Sequence, residues 1–457
     1  MRLYNTMTRK TEDLVPMHHG RLNVFVCGPT VYNRIHVGNG RTFAFFDAAV
    51  KFLRFIGYSV FYLQNITDID DKIINRASEE GVDPLVLSKK YFRDFIEDTA
   101  LLGIDSVTYY ALASDYVPEI RRQVSSLLRR HFAYRMDDGI YFSIDAFPDY
   151  GKLSRQVTAE NRSSVRHRMN ENKRNPGDFV VWKLAKPGEP KWPSPYGEGR
   201  PGWNVEDTAI TRTFFGDSYD IHGGGSDLIF PHHEGEIAIM RSLSNRKYLS
   251  RYWLHTGMLN IKDEKMSKSA GNIITVREAC EKYGGLALRY LLLNASYRSE
   301  IIFDELSMHE AKVNVDRLNL LYQNLKSRGE FGDFNMSVEG YRERVIRAAS
   351  NDFDFRSVYA ILNELSEEVN KNMESVSHES TAKILDFMED VNSFLGFIDT
   401  QSDFAMLDKL MENIISFRHQ LRAQKEFSLA DQLREKLKDA GIELEDKGGM
   451  TKWRKRQ

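Results

Sequence analysis

The apolar positions near the N-terminus change from a continuous run to a helical period and back again. Leu22 to Val26 (LNVFV) is expected to be a buried strand that ends at Cys27. A helix should follow, with Phe46, Val50 and Leu53 on one face and Gly57 at its C-terminal end. Tyr58 to Leu63 (YSVFYL) is expected to be a second buried strand. Strand, helix and strand together predict a βαβ unit and therefore a parallel sheet.

Ligands of parallel sheets bind outside the carboxyl ends of the strands, which places Cys27 and Thr67 at such an edge. Residues 150–202 change in character, because basic side chains cluster at 162–174 and a Pro/Gly/Trp-rich passage follows. We expect an insertion made of irregular loops there. A second sheet-like part should follow, with a helix that begins near Pro231. From about residue 305 the apolar spacing predicts a helical bundle, with core positions at Val358, Ile361, Leu362, Leu365 and Val369 and at Ile384, Met388, Val391 and Leu395.

Composition narrows the class of protein. The length of 457 residues predicts roughly three domains. Hydrophobic residues make up 42% of the chain. The formal net charge of −2 excludes a uniformly basic nucleic-acid coat but not a local basic patch. The two cysteines, Cys27 and Cys280, exclude a disulfide framework, and Cys280 is expected to be a small buried helix residue. No apolar run reaches the 18 or so residues of a membrane helix, so we expect a cytoplasmic protein.

Two short motifs carry the chemistry of phosphate binding. Lys265-Met266-Ser267-Lys268-Ser269 offers two ammonium groups, which can follow charge developing on a leaving pyrophosphate. His36-Val37-Gly38-Asn39 stands at the start of the first predicted helix, where the helix N-terminus favours phosphate. A lone histidine there is more often an ordinary helix cap. The chain has no Walker A sequence and no G-x-G-x-x-G motif.

These two motifs resemble the HIGH and KMSKS motifs of class I aminoacyl-tRNA synthetases. Further stretches are similar to the cysteinyl-tRNA synthetase family, almost from end to end: CGPTVY at 27–32, NITDIDDKI at 65–73, KRNPGDFVVWK at 173–183, GRPGW at 199–203, DIHGGGSDLIFPHHEGEIA at 220–238, MSKSAGN at 266–272 and the tail GIELED to GMTKWRKR. The resemblance implies an α/β Rossmann-like catalytic domain with an insertion, followed by an α-helical bundle and a small C-terminal anticodon-binding domain.

The implied boundaries are 1–125 and 201–260 for the two halves of the catalytic domain, 126–200 for the insertion, 261–315 for the KMSKS stem-contact region, 316–400 for the helical bundle and 401–457 for the anticodon-binding domain. In the last domain, Asp446, Trp453 and the basic tail are candidates for RNA contact. Tryptophan stacks on unpaired bases and basic side chains meet phosphates. Trp453 could equally be a packing residue of that domain, and the tail could be a solvated end.

The resemblance also implies one Zn²⁺ per chain, held in the family by two cysteines, a histidine and a glutamate. The matching positions are Cys27, Asp207, His232 and Glu236, so an aspartate replaces the second cysteine. His232 and Glu236, four residues apart, should share a helix face. One thiolate and two carboxylates carry the same formal charge as two thiolates and one carboxylate. We therefore expect Zn²⁺ to be retained, with Asp207 as a ligand. The alternative is a metal-free site in which Asp207 makes ordinary hydrogen bonds.

Zinc would answer a problem of specificity, because cysteine and serine are nearly the same size. A metal ion that binds the substrate sulfur as a thiolate favours a group that serine cannot match. Carboxylate oxygens are harder ligands than thiolates, so Asp207 could weaken that preference. Asn204 also replaces a histidine of the family.

The reaction implied by the resemblance has two steps. ATP and L-cysteine give cysteinyl-adenylate and pyrophosphate, and the cysteinyl group then moves to the 3′-terminal adenosine of tRNA(Cys), on its 2′-OH. Phosphates would be held by His36, Gly38 and Asn39, with Mg²⁺ accompanying ATP. Lys265 and Lys268 would stabilise the transition state of the first step. The amino acid would lie near Gly28, Thr67, Trp203 and His222. The protein is expected to be a monomer.

Two other functions are compatible with parts of this pattern. A ligase could use the same activation step to join cysteine to an amino-sugar inositol, although the long stretch at 316–457 disfavours it. A paralogue could bind tRNA without catalysis, although the intact lysine motif disfavours that.

Overall fold

The computed structural model describes residues 1–156, 173–244, 246–261, 264–265, 273–328, 331–399, 402–440, 442–447 and 450–455. The strands, in chain order, are β1 (Arg2–Asn5), β2 (Lys10–Asp13), β3 (Arg21–Val26), β4 (Ser59–Ile66), β5 (Tyr109–Leu112), β6 (Ala133–Met136), β7 (Gly139–Phe142), β8 (Phe179–Leu184), β9 (Gly199–Pro201), β10 (Tyr219–Gly225), β11 (Ser250–Thr256), β12 (Leu259–Ile261), β13 (Glu264–Lys265), β14 (Ile301–Phe303), β15 (Ile442–Lys447) and β16 (Met450–Lys455).

The α-helices are α1 (Val37–Phe55), α2 (Asp71–Glu80), α3 (Pro84–Leu101), α4 (Val117–Arg129), α5 (Val205–Phe215), α6 (Glu234–Leu243), α7 (Val276–Tyr283), α8 (Gly285–Leu293), α9 (Glu305–Lys326), α10 (Glu339–Ala349), α11 (Phe355–Lys371), α12 (His378–Leu395), α13 (Ser402–Ala423) and α14 (Phe427–Asp439). None of the helices in the described part of the chain combines the length and apolar character that crossing a bilayer requires.

The centre of the molecule is a five-stranded sheet of order β11-β10-β3-β4-β5, in which every neighbouring pair is parallel. The predicted βαβ unit is confirmed, because α1 connects the adjacent strands β3 and β4. The helix ends as predicted, with Gly57 in the left-handed region at φ 99°. β4 continues three residues beyond the predicted Leu63.

The expectation of irregular loops over 150–202 is wrong for two segments. β8 and β9 join β6 and β7 in a four-stranded antiparallel sheet, and Trp182 lies at its buried centre. β9 has only three residues and pairs with β8. β8 in turn pairs with β7, which lies much earlier in the chain. A local reading of a Pro/Gly-rich passage cannot detect such pairing, because its hydrogen bonds are supplied by a distant partner.

The largest hydrophobic core joins α1 to the helical part of the chain. Phe45, Phe46 and Phe52 of α1 pack with residues of β3, β4 and α9 to α12. The predicted helical periods are confirmed, because their apolar positions in α11 and α12 are buried in this core. Full burial of side chains of this size contributes about 1.5–3 kcal/mol each, so the core attaches the bundle firmly to one face of the sheet. Cys280 is a buried residue of α7, as predicted.

Residues 399–457 form a second compact unit, separate from residues 1–398. Within it, α13, α14 and the antiparallel pair β15–β16 surround a small core of Met411, Leu437 and Leu444. Trp453 packs against this core from β16, opposite Leu444. The backbone of residues 450–455 in the basic tail is paired in a strand.

Candidate metal centre and amino-acid site

The candidate metal centre lies at the carboxyl edge of the central sheet. Cys27 directly follows β3, and its backbone N–H donates to the carbonyl oxygen of Gly223 in β10 at 3.0 Å. β10 also carries His222, so two neighbouring strands deliver a thiol and an imidazole to one place. This is the edge at which ligands of parallel sheets bind.

Two helices supply the remaining predicted ligands. Asp207 lies in the first turn of α5, and Glu236 lies in the first turn of α6. His232 precedes α6, in a π-type turn over Ile229–His233 that runs directly into the helix. His232 and Glu236 lie on one face as predicted, with His232 Nε2 3.2 Å from Glu236 Oε1. All four predicted ligands are buried, with exposed fractions of at most 5%.

The spacing of the four donor atoms matches the ligand shell of a small cation. Cys27 Sγ lies 3.7 Å from His232 Nε2, 3.6 Å from Glu236 Oε1 and 4.0 Å from Asp207 Oδ2. His232 Nε2 lies 3.0 Å from Asp207 Oδ2. A tetrahedral zinc ion with bonds of about 2.0–2.3 Å separates its ligand atoms by roughly 3.3–3.8 Å. The donor set therefore fits such an ion.

A second group of donors overlaps the first, because Cys27 and Glu236 also meet His222 and His233. Cys27 Sγ lies 3.6 Å from His222 Nε2 and 3.2 Å from His233 Nε2, and His222 Nε2 lies 3.1 Å from Glu236 Oε2. Sequence reasoning placed His222 near the substrate and missed His233. The adjacent pair His232-His233 in the sequence was the available signal for a second imidazole at this site. Spacing alone could not show that both rings point into the cluster.

Burial and neighbouring carboxyl groups disfavour the ionised forms of the Cys27 thiol and the Glu236 carboxyl group. Burial raises the pKa of the Cys27 thiol well above its usual value, and the carboxyl groups of Glu236 and Asp207 raise it further. Burial, followed by the charge of Asp207, raises the pKa of Glu236 in the same way. Burial and neighbouring imidazoles lower the pKa values of His222 and His233, so both rings stay neutral. A bound divalent cation reverses this balance, because it favours the deprotonated thiol and carboxyl groups.

Gly28 and Thr67 are joined to the metal centre through Asn65, a residue that sequence reasoning missed. The backbone N–H of Gly28 donates to Asn65 Oδ1 at 2.6 Å. Asn65 Nδ2 donates to Asp207 Oδ1 at 2.5 Å and to Thr67 Oγ1 at 3.3 Å. A Cβ atom at position 28 would lie 1.8 Å from the Asn65 carbonyl oxygen, so only glycine permits this approach of the two strand ends.

Trp203 and His222 border the centre on different sides. The indole of Trp203 is 45% exposed and stacks on the imidazole of His232 at a centroid distance of 4.9 Å. His222 is fully buried, stacks on Trp253 at 4.2 Å, and its Nδ1 lies 2.6 Å from the hydroxyl of Tyr219. The structure therefore brings the predicted residues Gly28, Thr67, Trp203 and His222 together around Cys27, Asp207, His232 and Glu236.

The predicted phosphate-binding residues lie at the N-terminus of α1. His36 is the N-cap residue, and its Nδ1 accepts a hydrogen bond from the backbone N–H of Asn39 at 3.2 Å. The Asn39 side chain accepts in return from the backbone N–H of His36 at 3.4 Å. This reciprocal capping box confirms the ordinary structural role of His36. A Cβ on Gly38 would lie 2.9 Å from His36 Nδ1, so glycine leaves this helix start open.

The segment that follows the lysine motif contacts the same helix start. Lys265, in β13, pairs through its backbone with Asn260 of β12, whereas its side chain and the whole of Lys268 lie outside the described residues. Beyond the motif, the backbone N–H of Val37 donates to Ile274, and that of Val276 donates to Ile35, each at 3.0 Å. The segment after the lysine motif is therefore hydrogen-bonded to the first turn of α1.

Comparison with known proteins places this arrangement in one family. Residues 13–313 match the model of the tRNA synthetases class I (C) catalytic domain. The chain is 48% identical over 455 residues to the cysteine–tRNA ligase of Thermoplasma volcanium, covering 99% of both chains. It is 39% identical over 470 residues to that of Clostridioides difficile, covering 100% of both.

Solved structures support the same fold. LeuRS of Agrobacterium radiobacter, in a ternary complex with tRNA, has a TM-score of 0.61 at 11% identity and covers 84% of this chain and 85% of its own. Methionyl-tRNA synthetase of Mycobacterium tuberculosis has a TM-score of 0.58 at 17% identity, with 82% and 90% covered. The chain therefore belongs to the cysteine–tRNA ligase family of class I tRNA synthetases and is a ligase.

Proposed function

We propose that this chain activates L-cysteine with ATP and transfers the cysteinyl group to the 3′-terminal adenosine of tRNA(Cys). The observation that carries the proposal is the buried set of Cys27, Asp207, His232 and Glu236 at the carboxyl edge of the sheet. This set stands close in the fold to a helix N-terminus, so sulfur-binding and phosphate-binding groups share one edge. Relatives named cysteine–tRNA ligase match over nearly the whole chain, which supports tRNA as the acceptor.

The four donors would hold one Zn²⁺ per chain, with Asp207 taking the place of a second cysteine. When bound, zinc supplies a Lewis acid that favours the substrate sulfur as a thiolate, a ligand that the hydroxyl of serine matches poorly. Gly28 and Thr67 lie beside this position and are hydrogen-bonded to Asn65. The partly exposed indole of Trp203 stacks on His232. His222 holds a neutral imidazole beside it, oriented by the hydroxyl of Tyr219.

In the first step, a carboxylate oxygen of cysteine attacks the α-phosphorus of ATP and the bond to pyrophosphate breaks. His36, Gly38 and Asn39 present the positive end of α1 to the phosphates. Lys265 and Lys268 neutralise charge that develops on the departing pyrophosphate, and Mg²⁺ accompanies ATP. In the second step, the 2′-OH of the terminal adenosine attacks the adenylate carbonyl carbon and AMP leaves. Positioning and charge carry both steps.

The division of labour along the chain follows from the same proposal. Residues 1–125 and 201–260 form the catalytic domain, 126–200 the insertion, 261–315 the stem-contact region and 316–400 the helical bundle. Residues 401–457 contact the anticodon, and Asp446, Trp453 and the basic strand β16 are the candidates for that contact. Trp453 also packs against the small core of this unit, opposite Leu444.

The test is cysteine-dependent exchange between pyrophosphate and ATP by the zinc-loaded protein, followed by charging of tRNA(Cys). We expect exchange that requires cysteine, a cysteinyl ester on tRNA(Cys) and no product with an amino-sugar inositol. Absence of exchange would contradict the proposed cysteine activation and favour a paralogue that binds tRNA without catalysis. Exchange without tRNA charging, together with a product on the amino-sugar, would contradict the acceptor. Less than half an equivalent of zinc after metal loading would contradict the metal centre.

A further inference from the structure

Two buried asparagines contact two of the proposed metal ligands from outside the ligand set. Asn65, in β4, contacts Asp207, and Asn204, just before α5, contacts His232. Both asparagines are about 1% exposed. We propose that Asn65 and Asn204 are positioning residues that hold Asp207 and His232 in the orientations that bind the metal ion. This inference rests on the metal centre proposed above and adds the residues that orient it.

The orientation of the Asn65 carboxamide is determined by its partners. Its Oδ1 accepts from the backbone N–H of Gly28, which can only donate, so Nδ2 faces Asp207 and Thr67. Asn65 Nδ2 donates to Asp207 Oδ1, and that oxygen is engaged. The other oxygen, Oδ2, is the one 3.0 Å from His232 Nε2. Asn65 therefore presents Asp207 as a ligand through a single oxygen, as the cysteine that it replaces would bind through a single sulfur.

Asn204 occupies a position at which an asparagine side chain ordinarily caps a helix. It is the N-cap residue of α5, and asparagine at an N-cap usually accepts from a backbone N–H of the first turn. Here it makes no such bond, so the helix start goes without the stabilisation that a side-chain cap provides. Its backbone is left-handed at φ 73°, a conformation that asparagine tolerates better than most residues. The side chain turns instead to Nδ1 of His232.

The surroundings of Asn204 make room for this contact. A Cβ atom at Gly235 would lie 2.3 Å from Asn204 Nδ2, so only glycine at that position admits the carboxamide. With Nδ2 against Gly235, Oδ1 faces the ring and accepts a hydrogen bond from the Nδ1–H of His232. Nε2 of His232 then carries the lone pair, directed at the space shared with Asp207, Glu236 and Cys27.

Asn204 and Asp207 lie three residues apart on one helical turn, and both depart from the family pattern noted above. One turn of α5 thus carries a metal ligand and the support of another. A carboxylate in place of a thiolate leaves a second oxygen that needs a partner, and Asn65 supplies it. Asn65, Asn204 and Asp207 are therefore parts of one connected centre.

The same substitution at the two asparagines tests the inference, because it predicts opposite results. Asn204→Asp keeps an acceptor for His232 Nδ1, so zinc affinity should stay within about threefold of the parent or increase. Asn65→Asp replaces the donor to Asp207 by a like charge, so zinc affinity should fall by about 10- to 100-fold. Asn204→Gly keeps the left-handed backbone and removes the carboxamide, and its affinity should fall by a similar factor.

Zinc dissociation constants would be measured by chelator competition on the full-length protein, with the absorption spectrum of the cobalt-loaded protein as a second readout. Thermal unfolding without metal checks that each variant folds. An Asn204→Asp protein as weak as Asn204→Gly would overturn the assigned role of Asn204. Unchanged affinity in Asn65→Asp would overturn that of Asn65. A parent protein that binds no zinc would overturn the metal centre itself, and the inference with it.

Discussion

The candidate metal centre and the start of α1 lie at the same edge of the sheet but are built in different ways. The candidate centre is a closed cluster in which Cys27, Asp207 and Glu236 are almost fully buried and each lies within 4.0 Å of another donor. The start of α1 is half-buried and offers backbone N–H groups and a helix dipole. In the proposed function, distinguishing a sulfur from an oxygen needs fixed, desolvated donor groups, whereas binding a triphosphate needs positive charge from the helix start, the lysine motif and Mg²⁺. The two regions should therefore fail separately when mutated.

The largest effect on activity is expected at the phosphate side. Lys268→Ala should lower the rate of cysteine-dependent pyrophosphate exchange by about 100- to 1,000-fold, because a group that stabilises developing charge is lost. Zinc content should stay at the parental level. Lys282→Ala is the matched control, since Lys282 lies in α7 and pairs with Glu305 on the surface. Equal activity in the two variants would show that the lysine motif does not act in the transition state.

The complementary change is Cys27→Ser at the metal side. Zinc affinity should fall by more than about 100-fold, because a direct ligand costs more than the outer partners that orient it. Cysteine activation should fall with it, while the binding of ATP persists. Cys280→Ser is the control, because this buried thiol of α7 stands apart from both donor groups. Retention of a full equivalent of zinc in Cys27→Ser, at parental affinity, would remove Cys27 from the ligand set.

A smaller effect should follow from restoring the family residue. Asp207→Cys should tighten zinc by about tenfold and increase the preference for cysteine over serine in adenylate formation, since a thiolate is the softer ligand. Asp207→Asn keeps the shape of the side chain, removes its charge and should weaken zinc instead. The measurement is exchange with each amino acid alongside zinc competition. Identical preference in the parent and in Asp207→Cys would show that the aspartate is silent for specificity.

The smallest effect concerns the cap of α1. Asn39→Ala removes one half of the capping box and should lower the free energy of unfolding by about 0.5–1 kcal/mol. It should also raise KM for ATP, because Asn39 faces the phosphates in the proposed function. Ser307→Ala is a matched control, because Ser307 completes the corresponding capping box with Asp304 at α9. If both variants lose stability and neither changes KM for ATP, Asn39 is a cap only.

The elements that the sequence predicted best are those whose cause is local. β3, α1 and the apolar stripes of α11 and α12 follow from runs and periods that are visible within a few residues. The strands of the insertion were missed because β9 has three residues and exists through its pairing with β8. The inward position of His233 was missed because it depends on contacts with distant residues: its ring packs against Trp253 and is hydrogen-bonded to His255, both in β11.

The sequence by itself determined the family to which this chain belongs and the candidate donors at Cys27, Asp207, His232 and Glu236. Only the tertiary structure decided which residues surround those donors. Asn65 and Asn204 lie 142 and 3 residues from Asp207 along the chain, and both serve the same centre. The orientation of a buried carboxylate depends on the donors that surround it, and folding alone brings those donors together.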